Sequence, residues 1–341
     1  MLNFIKHYSK SSIMSSIASK EGNEEEKPVL SLHREKAWPS HYHHQLFQNF
    51  WCPSIHVEAV ESMQKHFQAK ESDVIVASFP KSGTIWIKAL TFAIINHQRF
   101  SSFENHPLLT SNPHELVPFL ESLFGGNFND HQIQLLENKP DPRLFGTHTP
   151  FPSLPESIKE SNCKVVYICR NPFDNFVSAW IYFNKIKPDS LPPIPLDDAF
   201  ELYCEGILDY GPWWSHMLDY WKESVAKPNK VLFLKYDDLK EDTNFHVKRI
   251  AEFFGCSFTE EEENNGTVEN IIQICSFEKM KDLAVNKSGK VGKAAVDKKN
   301  FFRKGENGDW INHFSPSMIE KLSKIVEEKF DGSGLSFKNC S

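Results

Sequence analysis

The segment from Asp73 to Trp86, DVIVASFPKSGTIW, constrains the fold more than any other part of this chain. An apolar run suited to a buried strand breaks at Pro80, and Lys81-Ser82-Gly83-Thr84 then open a new apolar-periodic segment. The pattern is a strand, a tight loop and a helix start. Loop N–H groups, the helix N-terminus behind them, one lysine and two hydroxyls make a site for a phosphate-like dianion. The spacing is not the GxxxxGK[ST] of a loop that wraps a triphosphate and holds magnesium, because only Gly83 lies between Pro80 and Trp86. A shorter cradle with an indole close behind suits one anionic group beside a flat ring stacked on Trp86. Taken alone, the same residues would serve equally as an ordinary strand-to-helix turn.

Two further segments carry cations to comparable positions. Lys164 to Cys169, KVVYIC, reads as a second buried strand, followed by Arg170-Asn171-Pro172 and an apolar-periodic helix containing Ser178. Pro172 fits a first helical turn, and Arg170 at the strand's carboxyl end offers a permanently charged fork for a second phosphate. Much later, FFRKGENGDW (Phe301 to Trp310) sets Arg303 and Lys304 beside Gly305, which lets the backbone approach a ligand closely. In isolation, Arg170 would be a surface salt bridge and Arg303-Lys304-Gly305 a solvated basic turn.

FPKSGTIW, CRNPFDNFVSAW and RKGENGDW, in that order, resemble the signatures of the cytosolic sulfotransferase family. NPHELVPFLE (Asn112 to Glu121), GPWWSHMLDYWKES (Gly211 to Ser224) and LFLKYDDL (Leu232 to Leu239) are similar to the soluble, flavonol sulfotransferase-like enzymes of plants. The resemblance implies transfer of a sulfuryl group from 3′-phosphoadenosine 5′-phosphosulfate (PAPS) to a hydroxyl of a small acceptor. It assigns Lys81, Ser82, Gly83, Thr84, Ile85 and Trp86 to the 5′-phosphosulfate, and Arg170, Ser178, Arg303, Lys304 and Gly305 to the 3′-phosphate. Trp86, Tyr236 and Cys275 to Met280 would flank the adenine.

The acceptor hydroxyl needs a base, and imidazole titrates near working pH. His148, in RLFGTHTPFP (Arg143 to Pro152), resembles the family's catalytic histidine. The implied mechanism has His148 removing the proton, in-line attack on sulfur, and Lys81 neutralising the bridging oxygen, with no metal. Animal relatives often have a lysine two residues before this histidine. Here Gly146 stands there, which shifts charge stabilisation towards Lys81.

Composition fits one large α/β domain: 341 residues, 40% hydrophobic, with no repeats. A net charge of -7 argues against general nucleic-acid binding, so positive charge must be local. Among 28 phenylalanines, Phe119, Phe124, Phe151 and Phe183 are candidates to rim an acceptor pocket for flat phenols or ring-bearing alcohols. By resemblance these are flavonoids, brassinosteroid-like sterols or hydroxyjasmonates, with flavonoids favoured. Seven cysteines without a CxxC pair read as reduced thiols of a cytoplasmic protein. HYHH (His41 to His44) lacks further metal ligands and reads as a solvated segment. Residues 1–30, rich in serine and ending near EGNEEEK, read as a disordered extension before a sulfotransferase domain at 38–336. No apolar run reaches the roughly 18 residues of a membrane span.

Strands are expected near 74–79, 143–147, 164–169 and 230–236, alternating with helices at 85–97, 173–184, 197–226 (interrupted at Gly211-Pro212), 243–255 and Pro316 to Phe330. Such alternation means a central parallel sheet flanked by helices, with ligands beyond the strands' carboxyl ends. Lys187 to Pro195 and Lys281 to Lys299 read as mobile loops, the second by resemblance a lid. Ile311 to Glu320 keeps only the glutamate of the dimer motif of animal relatives, which favours a monomer. Two rivals stay open: a P-loop kinase, disfavoured by the missing Walker loop, and a catalytically silent nucleotide-binding sensor or scaffold.

Overall fold

The computed structural model describes residues 34–35, 43–126, 129–292 and 295–338; the expected N-terminal extension lies outside them. The chain runs β1 (Arg34–Glu35), β2 (His44–Phe47), β3 (Phe50–Pro53), α1 (Ser54–His66), β4 (Val74–Ser78), α2 (Thr84–Ile95), β5 (Leu144–Thr147), β6 (Lys164–Cys169), α3 (Pro172–Ile186), α4 (Leu196–Glu205), α5 (Trp213–Ala226), β7 (Val231–Lys235), α6 (Thr243–Phe254), α7 (Thr267–Ile274), β8 (Lys290–Val291), β9 (Val296–Asp297) and α8 (Pro316–Phe330), with shorter helical turns between. The central sheet has the order β5-β4-β6-β7. All its pairings are parallel, with Ala77 opposite Thr147 on one side and Ser78 opposite Ile168 on the other. This is the expected α/β architecture, and each expected strand is present.

The strands read as continuous apolar runs because both faces of the sheet are covered. Successive side chains point to opposite faces. Ile75, Ala77, Val165, Tyr167, Val231 and Phe233 therefore pack with residues of α1, α3, α5 and α8. Val74, Val76, Val166, Ile168, Leu232 and Leu234 pack with residues of α2, α6 and α7.

Four expectations change. The break in 197–226 begins earlier, because Gly206 takes a left-handed φ of 77° and caps α4; residues 207–212 are then an irregular loop. Lys281 to Lys299 is not structureless: it holds a short helix, Ala284–Lys287, and the β8–β9 hairpin. Buried Asn286 ties it to the Asn112 side chain at 2.8 Å, and Lys298 pairs with Glu115 at 2.7 Å. His44 is not solvated; it lies fully buried in β2 and bonds Asp209 through Nε2. His41 lies outside the described residues. The Lys187 to Pro195 stretch is irregular but anchored, since Ile194 exchanges hydrogen bonds with Asn184 at 2.8 and 3.1 Å.

A buried ion pair ties together the amino ends of β4 and β5. Arg143 donates to both carboxylate oxygens of Asp73, at 2.7 and 2.5 Å, and its remaining donors reach the carbonyls of Leu136 and Gln68. Both side chains are buried. Removing one partner strands the other charge in the core, so Asp73→Ala should cost about 3–5 kcal/mol, read from the urea midpoint at unchanged slope.

Candidate active site

Beyond β4 the chain turns sharply: Lys81 has φ 66° and Gly83 φ 101°. A side chain at position 83 would be strained twice, since a Cβ there would sit 2.6 Å from the Tyr236 ring. No side chain caps the N-terminus of α2, leaving that end open to an anion. The two hydroxyls are otherwise engaged. Ser82 is buried and its Oγ accepts from Asn175 at 3.1 Å, while Thr84 Oγ1 bonds Ser78 Oγ at 2.8 Å. Ser82 is thereby turned behind the loop, while Thr84 stays at the cavity wall beside Lys81. Lys81 Nζ lies 3.7 Å from the centroid of the Tyr182 ring. Burial, aided by Arg303, Arg170 and Lys185, lowers its pKa from 10.5 to about 7.

Arg170 leaves the end of β6 buried, with its guanidinium 4.7 Å from the Tyr236 ring centroid and Nη2 donating to the Glu306 carbonyl. Tyr236, at the end of β7, packs edge-on to Trp86 at 5.3 Å and donates to the Gly305 carbonyl at 3.2 Å. Gly305 is required by contact, because a Cβ there would meet the Phe277 ring at 2.6 Å. Arg303 and Lys304 both pair with Asp309. The buried Nε atoms of Arg170 and Arg303 have no partner. Unsatisfied buried donors within a cluster of cations are what an anionic ligand would complete.

His148 follows β5 directly. Its Nδ1 donates to the Ser78 carbonyl at 2.6 Å, which fixes the tautomer and leaves Nε2 as the basic nitrogen. Its carbonyl accepts from His216 Nε2 at 2.8 Å, and its backbone N–H donates to Glu121 Oε1 at 2.7 Å. Burial is the main cause that lowers its pKa to about 4; the Glu121 charge, the Ser78 bond and, least, the Asp209 charge act upward, and Lys88 acts downward. The imidazole is thus held neutral. Gly146 has a structural counterpart that the sequence did not reveal. The space a side chain there would enter is filled by Lys88 of α2, whose Cε and Nζ lie 2.4 Å from the ideal Cβ position. Lys88 is fully buried, with Nζ over the Phe119 ring at 3.1 Å and 3.3 Å from His114 Nδ1.

These groups share one cavity of about 1100 Å³. Its wall includes Lys81, Gly83, Thr84, Ile85, Trp86, His148, Arg170, Ser178, Tyr236, Arg303 and Gly305, so most sequence-derived candidates converge. Ser82 and Lys304 do not border it, one being buried behind the loop and the other turned to Asp309. Of Cys275 to Met280, the wall takes Ser276, Phe277, Glu278 and Met280, while Cys275 faces the core. Phe119 and Phe183 line the cavity as expected. Phe124 and Phe151 do not; they pack in the core against Phe67 and Tyr220.

Sequence reasoning missed Glu121, His56, Asp209 and Tyr210, which complete the end beside His148. Tyr210 lies 5.7 Å from the His148 ring and bonds His56 Nδ1 at 2.8 Å. The available signal was position alone: Glu121 closes NPHELVPFLE, and Tyr210 precedes GPWWS. Among the described residues, no group of three or more His, Cys, Asp or Glu could hold a metal, and no helix is long and apolar enough to cross a membrane.

Comparison with known proteins agrees with this geometry. The family model for the sulfotransferase domain matches residues 71–334. Cytosolic sulfotransferase 15 of Arabidopsis thaliana is 51% identical over 311 residues, covering 90% of this chain and 85% of the relative. Cytosolic sulfotransferase 14 of the same plant is 48% identical, covering 93% and 94%. An Arabidopsis thaliana crystal structure, provisionally described as a steroid sulphotransferase, matches with TM-score 0.70 at 41% identity, covering 90% of this chain and 93% of its own. A mouse sulfotransferase complexed with PAP matches with TM-score 0.66 at 28% identity, covering 84% and 94%. On its motifs, fold, family model and relatives, the chain belongs to the sulfotransferase family.

Proposed function

We propose that this protein transfers the sulfuryl group of PAPS to a hydroxyl of a small, ring-bearing acceptor. The observation that carries the reading is one cavity joining unsatisfied cationic donors at one end to a neutral imidazole with a free Nε2 at the other. The backbone of Lys81 to Trp86 and the open end of α2 would hold the 5′-phosphosulfate. Arg170, Ser178, Arg303 and the backbone at Gly305 would hold the 3′-phosphate, with Lys304 keeping Asp309 in place. Trp86, Tyr236 and Phe277 would enclose the adenine.

In the transfer, His148 Nε2 takes the acceptor proton as the oxygen–sulfur bond forms. The bond from sulfur to the bridging oxygen breaks, and the Lys81 ammonium meets the charge left on that oxygen. Lys88 borders the space beside Gly146 but not the cavity, and burial pushes its amine well below the usual lysine range. Val291, Gly292 and Val296 of the β8–β9 hairpin border the cavity. The protein would act as a monomer in the cytoplasm, the compartment for which its curated relatives are named.

Phe119, Tyr182, Phe183, Ile186 and Tyr210 give the acceptor end flat apolar walls. They suit a flavonoid or related phenol first, and a brassinosteroid-like sterol or hydroxyjasmonate next. The test is transfer of labelled sulfate from PAPS to this panel without added metal, beside His148→Ala. Sulfated product should appear, and the variant should lose about 10²- to 10⁴-fold in kcat. Tight PAPS binding with no transfer to any acceptor would instead favour a silent nucleotide sensor.

Lys81 makes donor binding pH-dependent. Its pKa of about 7 in the free protein should rise towards 10.5 when an anion arrives, because the charged form gains a partner. Between those values binding takes up as much as one proton, so affinity for 3′-phosphoadenosine 5′-phosphate should fall as pH rises from about 7 to 9. Calorimetry in buffers of different ionisation enthalpy reads the proton directly, and Lys81→Met should abolish the uptake.

A further inference from the structure

One buried oxygen gathers four hydrogen bonds from the loop that carries His148. Glu121, in the first turn of the short helix Leu120–Phe124, is 4% exposed. Its Oε1 accepts four hydrogen bonds: Thr147 Oγ1 at 2.6 Å, the His148 N–H at 2.7 Å, the Thr149 N–H at 3.0 Å and Thr149 Oγ1 at 2.9 Å. Its Oε2 is buried with no partner, although the residue borders the cavity.

Holding the loop does not require a charge. A neutral amide oxygen could accept the same four donors, and burying a carboxylate with one bare oxygen is costly. The charge has an obvious use at the neighbouring residue. When His148 takes a proton it becomes a cation in a water-poor site, where only nearby fixed charge can compensate it.

Of the other groups facing His148, only Asp209 acts in the same direction, and less strongly than Glu121. Lys88 has the opposing sign. His114 and His216 are held neutral by burial, the latter down to about 3, and burial likewise raises the Tyr210 phenol. Asp209 is engaged with His44. We infer that Glu121 is a positioning residue of the transfer reaction: it fixes the loop that carries His148 and supplies the negative charge against which the imidazolium forms. The inference rests on the reading of His148 as the base.

Glu121→Gln separates charge from hydrogen bonding, since it keeps the volume and an acceptor oxygen. Two readouts apply to the full chain: the His148 imidazole titration by nitrogen-15 NMR, and the pH profile of kcat with the acceptor found above. In Glu121→Gln the His148 pKa should fall and the acid limb of kcat should move to lower pH. The kcat should drop about tenfold or more, with KM for PAPS unchanged. A Glu121→Ala variant provides a second arm, with activity recovered by added formate but not by formamide.

An unchanged His148 titration in Glu121→Gln overturns the inference, as does equal rescue by formamide. If no acceptor is sulfated even by the wild type, the functional reading falls instead, and the titration still decides the effect of Glu121 on His148.

Discussion

The site depends on the register of three parallel strands. With β4 between β5 and β6, and Ala77 and Ser78 level with Thr147 and Ile168, the chain leaves all three strands at nearly the same height. Neighbouring strands lie about 4.8 Å apart, so Lys81, His148 and Arg170 emerge side by side over one opening. A slip of one residue in β5 would turn the chain by half a period and point His148 away from the Ser78 carbonyl that sets its tautomer. The Asp73–Arg143 pair pins the amino ends of the same two strands, and so holds the register from the other side of the sheet.

Within that frame, burial pushes both Lys81 and His148 towards their neutral forms, with opposite consequences. For Lys81 the neutral form is the wrong one for holding an anion, and neighbouring cations lower its pKa further. The cluster is thereby under electrostatic tension that a dianionic donor relieves on binding. For His148 the neutral form is the right one for accepting a proton, and the cost appears only once it has done so. Glu121, bound to the backbone of that same residue, stands where the resulting charge would be felt. In the proposed reaction, donor recognition and proton removal would thus draw on the same desolvation within one cavity.

Much of this was legible in the chain. The four strands stand out because their apolar runs are unbroken, and Lys81, His148, Arg170 and Tyr236 follow those runs directly. What could not be read was contact between segments far apart in sequence. Phe124 and Phe151 look no different from Phe119 and Phe183 in composition, yet a turn of the chain sends two to the core and two to the cavity. Lys88 reads as a polar position in an apolar helix. Only the tertiary structure reveals that its side-chain amine, reaching from α2, occupies the gap left by Gly146 on β5. His44 looked solvated because its partner, Asp209, lies 165 residues away.

The sequence by itself determined the parallel α/β class, the strand, tight turn and helix start around Lys81, and through its ordered motifs the reaction family. Those are local properties: strand propensity, a glycine where φ must be positive, and cations at fixed offsets from strand ends. The tertiary structure alone decided which donors remain unsatisfied, which lysine fills which gap, and which carboxylate stands behind His148. Burial and electrostatics depend on distance in space, and the parallel crossovers bring to a few ångströms groups that the chain keeps tens of residues apart.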